Sequence, residues 1–434
     1  MLKMKKIILI IGLFILFTIN ITPQNNKYAW MSGIQFEFPF IKNYLENIIK
    51  DKNNKKENPF VIITGNISKN GINEENNSTR FINFISEPVK RAESIKAEIL
   101  WQKDLNKTLS APIVTTENYI YAAAQNGDIF CMDMSGNLIW QNKSGEAILS
   151  RLAVSDSVIV AGTAEGDLIS FKAANGKIIQ TLGLNEPVTS QLITLDGEYN
   201  GVPATCVIAG TSKGSLYCYD IISLEMIWEN HSAHGLIAGD PLFVNDRIIY
   251  GSRDGYLYCV DAKSGIINWK LLKDDSSDNS QVLCKPVSDE KSVFVVSQDN
   301  TISSIDLLLG RTIWQKNNFD AYNSIGISSS KADIFIKSYK DNFFIISAKN
   351  GKLIKNIKIG FGTDTAQTNI LAWNNNILFG SQDGKIYLID KNYKWDALLC
   401  PETGGIPNIY HVKDDIFAAC YIDGKIIVFK LTQY

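Results

Sequence analysis

The 434-residue sequence predicts an all-β protein, an eight-bladed β-propeller of four-stranded blades, preceded by a short α/β (βαβα) segment. Three observations carry this expectation. One short phrase, best seen in "GSRDGYLYCVD", recurs eight times between residues 123 and 430. The copies step by 39 to 48 residues, the length of one four-stranded blade. The last copy stops one strand short, and a strand of the missing kind, "AEILWQKDL" at 97–105, stands ahead of the first.

The chain opens on "MLKMKK", which is basic, and then runs apolar through "IILIIGLFILFTINI". A positive start before an apolar run of about 7–15 residues reads as an export signal, and a spanning helix needs nearer 20. Residues 1–24 are therefore expected to be a signal peptide or, if uncleaved, an N-terminal anchor. The anchor would be the one membrane contact. The protein is expected to be exported, periplasmic or associated with the cell envelope. No cysteine follows the apolar run to carry a lipid.

Residues 28–96 lie outside the repeat. "YAWMSGIQF" reads as a strand and "PFIKNYLENIIKDK" as a helix opening on Pro39, with Ile41, Tyr44, Leu45 and Ile48 on one face. "NPFVIITGNISKNG" follows as a buried-type strand, and "EENNSTRFINFISEPVKR" as a second helix. About 70 residues give a thin sheet, marginal alone, so the segment is expected to dock on the propeller or on a partner.

Residues 97–434 hold the ring. Each repeat has a turn residue at Gly127, Gly166, Gly214, Gly255, Asn300, Asn342, Gly384 or Gly424. Gly and Asn are the residues that tolerate φ > 0 in a hairpin turn. A β-rich run precedes each turn and an alternating run follows it. A second turn leads to a fourth strand that often carries tryptophan: Trp140, Trp228, Trp269, Trp314 and Trp395. An indole buries roughly 150–250 Å² and can fill the gap between wedge-shaped sheets. Blades two and six carry "KIIQTL" and "KLIKNI" instead, so their contacts should be weaker. Trp101 occupies the same slot in 97–105. Pairing that stretch with 425–431 would complete blade eight and remove two sheet edges.

Composition excludes some functions. A formal net charge of -2, with both signs mixed along the chain, gives no field for nucleic acid. The seven cysteines are odd in number and irregular in spacing. Cys131, Cys218 and Cys259 share one slot in three repeats, which places their thiols far apart, and they are read as small buried apolar residues. His231 and His234 without a third ligand make a poor zinc site and are read as an exposed loop. Asp133, Asp220, Asp261, Asp306 and Asp390 end third strands and are read as turn residues.

At "DGYLYCVDAKSGIINW" and "DGKIYLID" the chain resembles the pyrroloquinoline-quinone-type propeller repeat, over roughly three quarters of its length. The repeat occurs in quinoprotein dehydrogenases and in proteins that bind no quinone. Size points to the non-catalytic, BamB-like class, which implies an exported scaffold with envelope protein partners and a monomeric ring. The quinoprotein dehydrogenases carry an adjacent cysteine pair, a calcium and an aspartate base, and this sequence has no Cys-Cys. No catalytic residue, metal or cofactor is therefore expected, neither quinone nor calcium. A quinone-dependent dehydrogenase is the alternative reading. The two strand ends of the 28–96 segment resemble the start of a calcineurin-like metallophosphoesterase, truncated and degenerate. Gly33, Gln35 and Asn66 stand where that family has Asp, His and Asp, so a metal-free remnant is implied. A residual phosphoesterase is the third reading.

The phrases that open the blades align a further set: Ala111, Arg151, Gln191, Asp240, Lys285, Ile325, Asn369 and Asn408. First strands line the central channel of this architecture. The six polar members, Arg151, Gln191, Asp240, Lys285, Asn369 and Asn408, are the candidate contact site, a ring at one channel mouth.

Overall fold

The computed structural model describes residues 6–11, 15–20, 95–109, 111–199, 201–272, 282, 284–401 and 407–434. The chain divides into two units, Met1–Val89 and Lys90–Tyr434. In the first, Lys6–Ile11 pairs antiparallel with Ile15–Asn20. The expected α/β segment, with Gly33, Gln35 and Asn66, lies outside the described residues apart from Ile95 and Lys96, which begin a strand of the second unit. Among the described residues no helix is long and apolar enough to cross a membrane.

The second unit consists of eight four-stranded antiparallel sheets. Seven are built from consecutive strands; blade 1, for example, runs Val114–Thr115, Tyr119–Ala123, Asp128–Asp133 and Leu138–Lys143. Blade 8 takes Pro407–Lys413, Ile416–Tyr421 and Lys425–Gln433 from the end of the chain, and its fourth strand is Ile95–Asp104. The register runs from Ile95 opposite Gln433 to Asp104 opposite Lys425, with Trp101 opposite Val428 and a bulge at Ile99–Trp101. The pairing covers the edge of Lys425–Gln433, and Ile95–Asp104 takes the outer place that the fourth strand takes in every blade.

The core is a circle of interfaces between adjacent blades. A run within the second and third strands of each blade is buried, nearly the whole strand in "YIYAA" and "DIFCMD" and the part nearer the connecting turn in Val202–Gly210. Apolar clusters join blades 1 and 2, 2 and 3, 3 and 4, 7 and 8, and 8 and 1. Two more span blades 4 to 6 and blades 6 and 7.

The turn between the second and third strands takes a left-handed residue in every blade. It is the expected one in seven: Gly127, Gly166, Gly214, Gly255, Asn300, Gly384 and Gly424. In blade 6 it is Asp341 (φ 68°) and not Asn342. That turn, Ser338 to Asn342, has the same length as in the other blades, and the Asp341 carboxylate accepts from the amides of Gly360 and Gly362 in the long fourth strand Leu353–Thr363.

Five indoles lock the blades in sequence around the ring. Trp101, Trp140, Trp228, Trp269 and Trp314 donate Nε1–H to the carbonyls of Met134, Ala173, Ala262, Leu307 and Ala348 in the next blade, at 2.8–3.0 Å. Each indole lies on the glycine of the acceptor blade's second turn: Gly136, Gly176, Gly265, Gly310 and Gly351. The slot without tryptophan behaves differently. In blade 2 it holds Gln180, whose Nε2 donates to Ser223 O at 2.7 Å, and the facing turn position is Leu224 (φ 52°). In blade 6 it holds Asn356, and blade 7 has Tyr393 (φ 61°) where glycine would be.

Trp395 does not occupy the expected slot. Its turn, Asp390 to Lys394, is as long as Asp133 to Asn137 in blade 1, but the bulge that follows the turn there is missing here, so Trp395 pairs with Ile389 while Asp396 falls opposite Leu388. A one-residue offset turns a strand side chain to the opposite face. Trp395 accordingly packs with Phe335, Phe343 and Tyr387 on the side of blade 6, and not toward blade 8.

Candidate functional site at the channel mouth

The entry segments of the blades meet near the axis, where first strands of neighbouring blades touch. Arg151 enters blade 2, Asp240 lies in the first strand of blade 4 and Lys285 enters blade 5. Arg151 Nη1 reaches Asp240 Oδ2 at 3.5 Å, past the whole of blade 3, and Lys285 Nζ reaches the same oxygen at 3.4 Å. Asp240 is 16% exposed and Lys285 52%. Two cations thus share one carboxylate, and the ammonium of Lys285 is the group most open to solvent.

Arg151 is held from behind. Its Nε and Nη2 donate to the carbonyl of Leu192 at 3.3 and 3.2 Å, and its backbone amide donates to Gln191 Oε1. Gln191 N donates in turn to Gly239 O at 3.0 Å. On the other side, Asn369 N donates to Asn408 Oδ1 at 3.2 Å, Ile409 N donates to Asn369 Oδ1 at 2.8 Å, and Asn369 Nδ2 donates to Ile409 O. Gln191, Asn369 and Asn408 therefore stitch blade to blade, while Arg151, Asp240 and Lys285 form the charged cluster. The six residues expected as one ring fall into these two roles. Tyr410 of blade 8 stands close enough to feel both Asp240 and Arg151. Burial, with Cys420 and Asp240 adding to it and Arg151 opposing, holds its hydroxyl protonated well above the usual range.

The third-strand aspartates act as turn residues. Asp133 accepts from the amides of Ser135 and Asn137, Asp220 from Ile222 and Ser223, Asp261 from Lys263 and Ser264, Asp306 from Leu308 and Leu309, and Asp390 from Asn392 and Lys394. His231 is not solitary: it contacts Ser215 Oγ at 2.9 Å and Glu229 at 3.1 Å on the rim of blade 3.

Sequence reasoning missed one pair. Lys337 and Asp364, each 1% exposed, are joined at 3.1 Å, and Lys337 also donates to Ala366 O at 2.8 Å. Burial pulls the lysine below its usual range and Asp364 pulls it back up. The signal was visible: Lys337 stands where Gly162, Gly210, Gly251 and Gly380 stand in other blades.

Blade number, closure and indole packing define a class: an eight-bladed propeller of the pyrroloquinoline-quinone repeat type. The family model described as "Outer membrane protein assembly factor BamB" matches residues 91–180, 186–283 and 212–397, more than half of the chain, and the chain belongs to that family. Outer membrane protein assembly factor BamB of Burkholderia pseudomallei (strain K96243) is 22% identical over 311 residues, covering 69% of this chain and 78% of that one. The protein of the same name from Yersinia pestis is 24% identical over 255 residues, covering 53% and 62%. The crystal structure of BamB from Moraxella catarrhalis superposes with a TM-score of 0.60 at 19% identity, over 77% of this chain and 97% of that one. Quinohemoprotein alcohol dehydrogenase from Comamonas testosteroni gives 0.62 at 12%, over 77% and 76%. These structural likenesses show the fold alone.

The carboxylate at the mouth is already committed. Calcium takes six to eight oxygen ligands, and Asp240 is already paired with two cations. Among the described residues no group of three or more His, Cys, Asp or Glu could hold a metal ion.

Proposed function

We propose that this chain is a non-catalytic scaffold of the bacterial cell envelope, exported across the inner membrane, whose propeller binds protein partners. The family match along the ring is the observation that carries this reading. The charged cluster at the mouth supports a contact with acidic partner segments: Arg151 and Lys285 exceed Asp240 by one positive charge, and Lys285 is half-exposed. A rigid ring lends itself to such a role, because closed blades hold loops in fixed positions.

Affinity capture of the full chain from membranes tests the reading; outer-membrane proteins are expected to copurify. Charge reversal of Arg151 and Lys285 to Glu together should weaken that capture while leaving the folded fraction high. Unchanged capture would remove the mouth as the contact, and capture of no envelope protein would remove the scaffold reading. Supplied with quinone and calcium, the protein is expected to show no dye-linked alcohol oxidation.

A further inference from the structure

Blade 3 alone brings two sulfurs to one place. Its second strand, Val202–Gly210, pairs with its third, Leu216–Asp220, with Ile208 opposite Cys218 and Cys206 opposite Asp220. Alternate residues share a face, so Cys206 and Cys218 are diagonal neighbours on the same side. Both are fully buried in the apolar cluster between blades 3 and 4. Their thiols lie within hydrogen-bonding reach of each other. The hydroxyl of Tyr199 closes over the pair, 2.8 Å from Cys206 Sγ.

The arrangement is not a property of the repeat. Cys131 and Cys259 fill the Cys218 slot in blades 1 and 4, but Tyr119 and Arg247 fill the Cys206 position there. Diagonal partners are ordinarily about 7–8 Å apart, beyond the 4.4–6.8 Å between Cα atoms that a disulfide favours. Strand twist shortens one diagonal of a sheet and lengthens the other. Contact between the two sulfurs marks Cys206–Cys218 as the short one.

We propose that Cys206 and Cys218 form a disulfide that staples the second and third strands of blade 3. The step is thiol–disulfide exchange with an oxidant of the disulfide class, a protein or small-molecule disulfide. Cys206 and Cys218 each give up a proton and together two electrons, the S–S bond of the oxidant breaks, and its two sulfurs leave as thiols. Full burial means that the bond forms as blade 3 folds or during its transient opening, not on the closed ring. In the cell this rests on the export reading, because export supplies the oxidising compartment.

The test is mass spectrometry of the full chain after refolding in a glutathione redox couple, with free thiols alkylated in denaturant and no reducing agent. The expected product is a linked peptide pair lighter by two hydrogens than the sum of its parts, with Cys131, Cys259, Cys284 and Cys420 alkylated. Replacing Cys206 or Cys218 with Ala should abolish the link and lower the melting midpoint by several degrees more in the oxidising buffer than in a reducing one. Alkylation of both Cys206 and Cys218 in the wild-type chain after oxidative refolding overturns the proposal, whether or not the variants fold. Repeating the measurement on protein taken from cells separates the two claims. Thiols free in cells but linked in the redox buffer would count against export and leave the pair supported.

Discussion

A β-carbon added to Gly310 would lie 2.6 Å from Cδ2 of Trp269, the indole that donates to Leu307 three residues earlier. Gly310 also sits at φ 66°. Two demands therefore fall on one residue, a left-handed backbone and no side chain beneath an indole. Gly310→Ala is expected to cost about 1–3 kcal/mol by overpacking and roughly 1 kcal/mol more by conformation. Tyr393 has the same backbone geometry without an indole above it. Tyr393→Gly should change stability by less than about 1 kcal/mol, since relief of the left-handed strain and a looser unfolded chain oppose each other. Urea midpoints of the two variants check the argument; equal losses would refute it. Gln180→Trp with Leu224→Gly should likewise be better tolerated than Gln180→Trp alone, with a coupling of about 0.5–3 kcal/mol.

Closure depends on Trp101, which holds blade 8 to blade 1 through Met134 and Gly136. Burial of a whole indole would make Trp101→Ala cost about 3–5 kcal/mol. Trp101 is only half-buried, so a loss of about 3 kcal/mol is expected. Deleting the strand through Asp104 should do more, because it exposes the edge of Lys425–Gln433 to association. Equilibrium unfolding and size-exclusion chromatography measure both; a truncated chain that stays monomeric and equally stable would contradict the closure.

The ring was legible because its determinants are local and repeated. Each blade writes its own turn residue, its own apolar alternation and, in five cases, its own indole slot. The misreadings came where a single residue decided the register. In blade 6 Asn342 stands beside the true left-handed position, Asp341, and in blade 7 the bulge that carries Trp140 into its slot is missing, so Trp395 pairs one step off. The mouth was legible as a set of polar side chains but not as a network. That Arg151 passes blade 3 to reach Asp240 follows from the convergence of strands at the axis, which no linear spacing records. Lys337 carried a signal, a cation in a glycine slot, but its partner Asp364 lies in the link between two blades.

Alkali should loosen the ring from about pH 9 upward. Burial pushes the thiol of Cys131 up to about 11, and those of Cys259 and Cys420 to about 12, from the usual 9.0. Burial likewise raises the hydroxyls of Tyr121, Tyr258 and Tyr421. A group whose pKa is raised by folding holds its proton more tightly in the native state. Its contribution is complete below the unfolded value and is lost as pH climbs through the folded one. At pH 10 each of the three cysteines should have withdrawn on the order of 1 kcal/mol. Lys337, depressed by burial, acts in the opposite sense, since its unfolded form takes up protons more readily. One lysine does not offset this many thiols and phenols. Urea midpoints between pH 7.5 and 10.5 in reductant should fall steadily, and a flat profile would show that these groups are not protected.

The buried pair of Lys337 and Asp364 should prove costly to break and cheap to replace. Asp364 keeps two further donors, the amides of Ala366 and Gln382. Those amides orient the carboxylate but do not neutralise it. Lys337→Met would leave that charge buried and uncompensated, at a cost of about 3–5 kcal/mol. Asp364→Asn in the Met background removes the charge and keeps an acceptor for one of the two amides, and should recover part of the loss. Large coupling in a double-mutant cycle is therefore expected, above about 1 kcal/mol. Additive losses would mean that the lysine matters only as packing. In that case Met, filling the slot where other blades have glycine against the next blade's entry segment, would stabilise the junction of blades 6 and 7 as well as lysine does.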